Sequence, residues 1–119
     1  MGNALIVDDS ATERAILIGC LEQIGINVSV ATTGEEALEQ IALATPDVIV
    51  LDVVLPGRSG FEICRELKGS DNTNKIPIIL CSTKDTDMDK FWGKKQGADA
   101  YIPKPIDQKK LIEVVKQYL

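Results

Sequence analysis

The chain of 119 residues is long enough for one domain whose core needs neither disulfides nor a structural metal, and its 45% hydrophobic and 26% charged residues exclude a disordered polypeptide. Its 18 acidic residues against 13 basic ones give a net charge of −5 with no basic stripe, which argues against direct contact with nucleic acid. Histidine is absent, so neither a Ser-His-Asp or Cys-His catalytic site nor a histidine-bearing zinc site can be built from this chain.

In chain order, short apolar runs alternate with segments of helical period. Ala4–Val7 is the first strand-like run. Ser10-Ala11-Thr12-Glu13 then has the spacing of a capping box, in which Ser10 and Glu13 serve each other's free N–H groups. The helix it opens carries Ile16, Leu17, Cys20, Leu21 and Ile24 on one stripe and closes at Gly25. Val28–Ala31 is the second strand. Thr33-Gly34-Glu35-Glu36 repeats the capping pattern, Ala37, Leu38, Ile41 and Ala42 form the stripe, and Thr45-Pro46 stops the helix.

Val48–Leu51 and Ile76–Cys81 are almost uniformly aliphatic, as strands covered by helices on both faces are. Between them a helix is predicted from about Gly60 to Lys68. A fourth follows from about Asp85 to Gln96; there Met88, Phe91 and Trp92 have the i, i+3, i+4 spacing of a core stripe. Tyr101–Ile102 is the last strand, and Asp107 to Tyr118 the last helix. With no linker or repeat in between, residues 1–119 are expected to be one domain without an output domain. Cys20, Cys64 and Cys81 form no CxxC pair and sit in apolar surroundings, as buried thiols of a reducing compartment do. No apolar run reaches the roughly 18 residues of a membrane span, so a cytoplasmic protein without membrane insertion is expected.

Five strand–helix units in strict alternation predict an α/β fold with a five-stranded parallel sheet covered on both faces. Right-handed crossovers leave few topologies, of which strand order 2-1-3-4-5 is favoured, and ligands of such sheets bind beyond the carboxyl ends of strands 1 and 3. On that edge lie Asp8 and Asp9 after strand 1, Asp52 at the end of strand 3, Ser82 and Thr83 at the end of strand 4, and Lys104 after strand 5. Carboxylates that converge repel one another unless a cation sits among them, and hard oxygen ligands suit Mg²⁺. A hydroxyl and a lysine opposite such a metal form a receptor for an oxyanion, so the set points to phosphoryl transfer with one carboxylate as nucleophile.

Four stretches, ALIVDDS (Ala4–Ser10), PDVIVLDVVLPGRSG (Pro46–Gly60), IPIILCSTKD (Ile76–Asp85) and GADAYIPKP (Gly97–Pro105), resemble the receiver domains of two-component response regulators, of which the bacterial chemotaxis regulator is the compact example. The resemblance runs through the whole chain in order and implies the (βα)5 flavodoxin-like, doubly wound fold. It also implies that Asp52 is the phospho-acceptor, that Asp8, Asp9, Asp52 and the backbone carbonyl of Val54 hold Mg²⁺, and that Lys104 contacts the phosphoryl group. Ser82 would be the hydroxyl that senses phosphorylation and Tyr101 the switch aromatic. The Lys104–Pro105 bond would be cis. By the same resemblance the donor is a phosphohistidine on a sensor histidine kinase or phosphotransfer protein, and the output leaves through the face formed by helix 4, strand 5 and helix 5 toward a downstream protein. The chain would then be a stand-alone signalling switch that catalyses only its own phosphoryl transfer and slow self-dephosphorylation.

Some positions depart from the pattern or admit a second reading. Position 83 is usually Ala or Gly in the family and is Thr here, and Pro103 removes a ladder donor from what should be an edge strand. Phe91-Trp92-Gly93 before Gly97-Ala98 has a weaker likeness to receivers of twitching and phototaxis systems. An FMN carrier of the same fold would need a phosphate-binding loop where Asp8-Asp9 stand. A haloacid-dehalogenase-like phosphatase would need a DxD spacing after strand 1, which the adjacent Asp8-Asp9 breaks. A receiver-shaped module that is never phosphorylated would not need the complete acidic set with Ser82 and Lys104.

Overall fold

The computed structural model describes residues 2–119. Strands β1 (Asn3–Val7), β2 (Asn27–Ala31), β3 (Val48–Asp52), β4 (Ile78–Ser82) and β5 (Ala100–Pro103) alternate with helices α1 (Ala11–Gln23), α2 (Gly34–Leu43), α3 (Gly60–Lys68), α4 (Asp87–Lys95) and α5 (Gln108–Gln117). All strand pairs are parallel and the sheet order is β2-β1-β3-β4-β5, as predicted. Strand β4 starts at Ile78, two residues later than its apolar run, because Pro77 has no N–H to give to a ladder.

Every residue of β3 and β4 is buried, and alternate side chains divide the core in two. Leu5, Val7, Ile49, Leu51, Ile78 and Leu80 pack against Ala37 and Ile41 of α2 and Ile63, Cys64 and Leu67 of α3. Ala4, Ile6, Val48, Val50, Ile79, Cys81 and Ile102 pack against Leu17, Cys20 and Leu21 of α1 and Leu111, Val114 and Val115 of α5. Each fully buried Leu or Ile contributes about 1.5–3 kcal/mol. All three cysteines are free and buried, and burial pushes the thiol of Cys64 up to about 11 and that of Cys81 up to about 12.

The helix starts differ from the sequence patterns in a consistent way. Ser10 and Thr33 do cap α1 and α2, accepting from the N–H groups of Glu13 at 3.3 Å and Glu36 at 3.1 Å. Neither forms the reciprocal box. The N–H of Ser10 is already given to Asp8 at 2.9 Å, and the Glu36 carboxylate takes the N–H of Thr32 instead. The reciprocal box is at α4, between Thr86 and Asp89. Side chains at three expected core stripes are also displaced. Ile16 and Ala42 face outward, and Met88, Phe91 and Trp92 are all exposed because Gly93 is the buried residue of α4. A short helix laid over the edge strand β5 has only one narrow line of contact. Pro103 pairs with Ser82 on that edge strand, where its missing N–H leaves no partner unsatisfied.

Candidate functional site

Backbone geometry at the carboxyl ends of β1, β3 and β5 sets the positions of the charged side chains. Asp8 follows β1 directly; its N–H continues the ladder to Ala31 at 3.1 Å, and its Oδ1 accepts from Ser10 N–H. That turn delivers Ser10 to the N-cap of α1, so the aspartate and the helix start are one unit. Arg14, one turn into α1, closes the unit by donating from Nη1 to the Asp8 carbonyl at 2.9 Å. This clamp is not legible from residue order, since a half-buried arginine one turn into a helix has no pattern of its own.

Asp52 ends β3, and its Oδ1 accepts from Val54 N–H at 3.1 Å. The chain then returns across the strand end, with Gly60 N–H donating to the Val53 carbonyl at 2.8 Å. A Cβ at position 60 would lie 2.0 Å from the Asp52 carbonyl oxygen, so only glycine permits this closure. Gly57, with φ +73, makes the turn within the same loop.

Lys104 follows β5 and remains in the ladder through its N–H, which donates to the Ser82 carbonyl at 2.9 Å; its bond to Pro105 is cis. Its Nζ lies 2.7 Å from Asp8 Oδ2 and 3.1 Å from Asp52 Oδ2. Asp8 is 1% exposed and Asp52 7%, whereas Asp9 is open to solvent. One carboxylate oxygen from each of Asp8, Asp9 and Asp52 lies within 4.8 Å of the other two. One lysine cannot balance three carboxylates, so the cluster is electronegative, and its hard oxygen donors at that spacing fit a divalent cation such as Mg²⁺. Burial pushes the Asp52 carboxyl above its ordinary range, against the opposing pull of Val54 N–H and Lys104. Burial alone would lower the Lys104 ammonium, but its bonds to Asp8 and Asp52 outweigh this and raise it.

Ser82 is fully buried at the end of β4, and its Oγ accepts from Lys84 N–H at 3.2 Å. Tyr101 on β5 is half-buried, and its hydroxyl donates to the carbonyl of the same Lys84. Ser82 and Tyr101 thus hold the N–H and the carbonyl of one residue, Lys84, in the β4–α4 connection. Val54 is 52% exposed beside Asp52, and Thr83 is exposed and outside the acidic cluster. The cleft lined by Gly2, Ile26, Asp47 and Tyr118 lies away from these carboxylates.

A doubly wound sheet in this order, with paired acids after β1, an acid ending β3 and a lysine after β5, defines a receiver-type phosphoryl-acceptor domain. The chain belongs to that family: residues 4–116 match the response regulator receiver domain. It is 40% identical to protein PilH of Pseudomonas aeruginosa over 119 residues, covering all of this chain and 98% of that protein. Among solved structures it is similar to a putative response regulator from Chloroflexus aurantiacus, with TM-score 0.95 and 34% identity over 98% of this chain and 96% of that one. It is likewise similar to chemotaxis protein CheY4 of Vibrio cholerae, with TM-score 0.92 and 31% identity over 100% of this chain and 99% of that one. The protein is therefore a response regulator receiver of two-component signalling, a class of switch phosphorylated on aspartate by histidine kinases or phosphotransfer partners. Among the described residues, no helix is long and apolar enough to cross a membrane.

Proposed function

We propose that Asp52 is the phospho-acceptor of this receiver domain and that the domain switches protein contacts. The observation that carries the reading is the Lys104 ammonium, shared at 2.7 and 3.1 Å between Asp8 and Asp52 at the rim of the acidic cluster. An Asp52 carboxylate oxygen attacks the phosphorus of a phosphohistidine supplied by the partner. The N–P bond breaks, the imidazole leaves with the electron pair, and an acylphosphate forms on Asp52. Lys104 stands where it can contact the new phosphoryl oxygens, and the N–H of Val54 keeps the other Asp52 oxygen in place. The side chains of Asp8, Asp9 and Asp52 with the Val54 carbonyl would hold Mg²⁺, whose charge offsets that of the incoming phosphate.

Ser82 and Tyr101 report the new charge, and the face of α4, β5 and α5 carries the signal to a downstream protein. Beyond its own phosphorylation and slow self-dephosphorylation the chain needs no enzymatic activity. Its free thiols suit the reducing cytoplasm. Incubation with acetyl phosphate and Mg²⁺, followed by intact mass, tests the assignment. One phosphate's added mass is expected, lost with EDTA and in Asp52→Asn; an adduct that survives in Asp52→Asn moves the acceptor elsewhere.

A further inference from the structure

Gly93 is the buried residue of α4, in the helix interior, where glycine is disfavoured relative to alanine by roughly fivefold in the helix equilibrium. Its reason is a close approach. A Cβ at position 93 would sit 2.9 Å from Leu80 Cδ1, 3.0 Å from Tyr101 Cδ2 and 3.3 Å from Tyr101 Cε2. By contrast, a Cβ at Gly19, also inside a helix, would meet nothing within 4 Å. The edge of the Tyr101 ring therefore occupies the space that a side chain on α4 would fill.

The other end of the ring is held by the bond from its hydroxyl to the Lys84 carbonyl, and Lys84 N–H donates to Ser82 Oγ. Leu80 pairs with Tyr101 across the β4–β5 ladder and is fully buried, so its Cδ1 can retreat only into space that the Tyr101 ring gives up. The half-buried ring is the part that can move, outward to solvent. We propose that Gly93 is a positioning residue for Tyr101. Its bare backbone forms the inner seat of the ring, so a side chain at 93 expels the ring and frees the Lys84 carbonyl, on the residue whose N–H Ser82 holds. This rests on the reading of Tyr101 as the moving aromatic of the receiver. It adds that α4 at position 93, and not only the state of Asp52, sets how often the inner seat is filled.

The test compares Gly93→Ala in two backgrounds by urea unfolding and by NMR. In the otherwise unchanged protein the substitution should lower the folding constant despite the better helix former. In Tyr101→Ala, which empties the seat, the same substitution should raise it, by up to roughly fivefold. The contacts between the Tyr101 ring and α4 seen as NOEs should vanish in Gly93→Ala, with the Lys84 amide shifted. If Gly93→Ala alone does not fold, Gly93→Ala/Tyr101→Ala should fold. Loss of stability in both backgrounds, or retained ring contacts, overturns the proposal by assigning the clash to Leu80. Beryllofluoride separates the two readings. A Tyr101 ring that ignores it in the unchanged protein refutes Tyr101 as the moving aromatic. A ring that responds there, and identically in Gly93→Ala, refutes the role of Gly93 alone.

Discussion

Neutralising Asp52 should make the metal-free protein more stable. At an effective dielectric constant of about 20, two unit charges 4.8 Å apart, the upper limit for Asp8 and Asp52, repel by about 3.5 kcal/mol. The Lys104 ammonium at 3.1 Å attracts Asp52 by about 5 kcal/mol on the same basis. Exposed Asp9 adds a solvent-screened repulsion. These terms nearly cancel, while a carboxylate only 7% exposed has lost most of its hydration, a cost of several kcal/mol for an ion. The charge on Asp52 is thus a net burden when no cation is present, in keeping with its raised pKa. Asparagine keeps its one oxygen for Val54 N–H, loses the acceptor that Lys104 uses while Lys104 retains Asp8, and sheds the charge, so Asp52→Asn should gain about 1 kcal/mol. In a domain of this size that is a rise in Tm of roughly 5 °C. Thermal unfolding in EDTA measures it, and repetition with Mg²⁺ should raise the unchanged protein more than the variant. A variant that melts at or below the unchanged protein in EDTA would show that the carboxylate cluster is not under electrostatic load.

Three further outcomes are expected. Val54 is 52% exposed beside Asp52 and cannot hydrogen-bond an attacking water, so Val54→Asn should shorten the half-life of the phosphorylated protein; an equal or longer one refutes this role. Tyr101→Ala should weaken binding of the downstream partner without reducing phosphorylation of Asp52, and beryllofluoride should shift amides from Ser82 to Trp92 and from Tyr101 to Lys104 in NMR spectra. Shifts confined to the loops around Asp9, Asp52 and Lys104 would remove this face from the output. Burial, with help from the Asp89 charge, pushes the Tyr101 phenol from 10.0 up to about 12. The raised pKa favours the neutral form in the fold, so its contribution to stability is complete below pH 10.0 and is lost as pH rises through about 12. Ultraviolet titration of a Tyr118→Phe variant should show no Tyr101 phenolate at pH 10.0 in the native state, and its appearance there would refute the inward seat.

The strand order and the charged residues at strand ends were legible because both rest on local signals that add up along the chain. Aliphatic runs such as Val48–Leu51 can form only doubly covered strands, and an aspartate one residue beyond such a run must emerge at the carboxyl edge. Contacts set by competition were not legible. Ser10 and Glu13 have the spacing of a capping box, yet Asp8 reaches the Ser10 N–H first, so Glu13 is left without its expected partner. Met88, Phe91 and Trp92 have the period of a core stripe, but which side of α4 faces β5 is decided by Tyr101 and Leu80, which need the side that carries Gly93. Periodicity gives a helix a stripe; the neighbour decides whether that stripe is the one buried.

The same distinction bears on how a charge at Asp52 can be felt at α4. Lys104 is tied to Asp8 and Asp52 through Nζ, and to the end of β4 through its own N–H on the Ser82 carbonyl. Ser82 in turn holds Lys84 N–H through Oγ, and Tyr101 holds the Lys84 carbonyl. The links at Lys104 and Ser82 are hydrogen bonds of buried or half-buried groups, so releasing one is costly unless another takes its place, whereas the Tyr101–Lys84 link is exposed and can be given up to water. A phosphoryl group on Asp52 would bring strong acceptor oxygens to Lys104 and to the Ser82 hydroxyl at the same time. If the hydroxyl turns toward them, Lys84 N–H loses its acceptor, and Lys84, whose carbonyl Tyr101 holds, is free to find a new position. On this reading the route from site to surface would be an exchange of the two bonds at Lys84 rather than a diffuse shift of the sheet, whose central strands β3 and β4 are wholly buried and cannot move cheaply. The exposed Met88, Phe91 and Trp92 lie on α4, which begins at Asp87, so a displacement of residues 84–86 would carry that apolar surface with it.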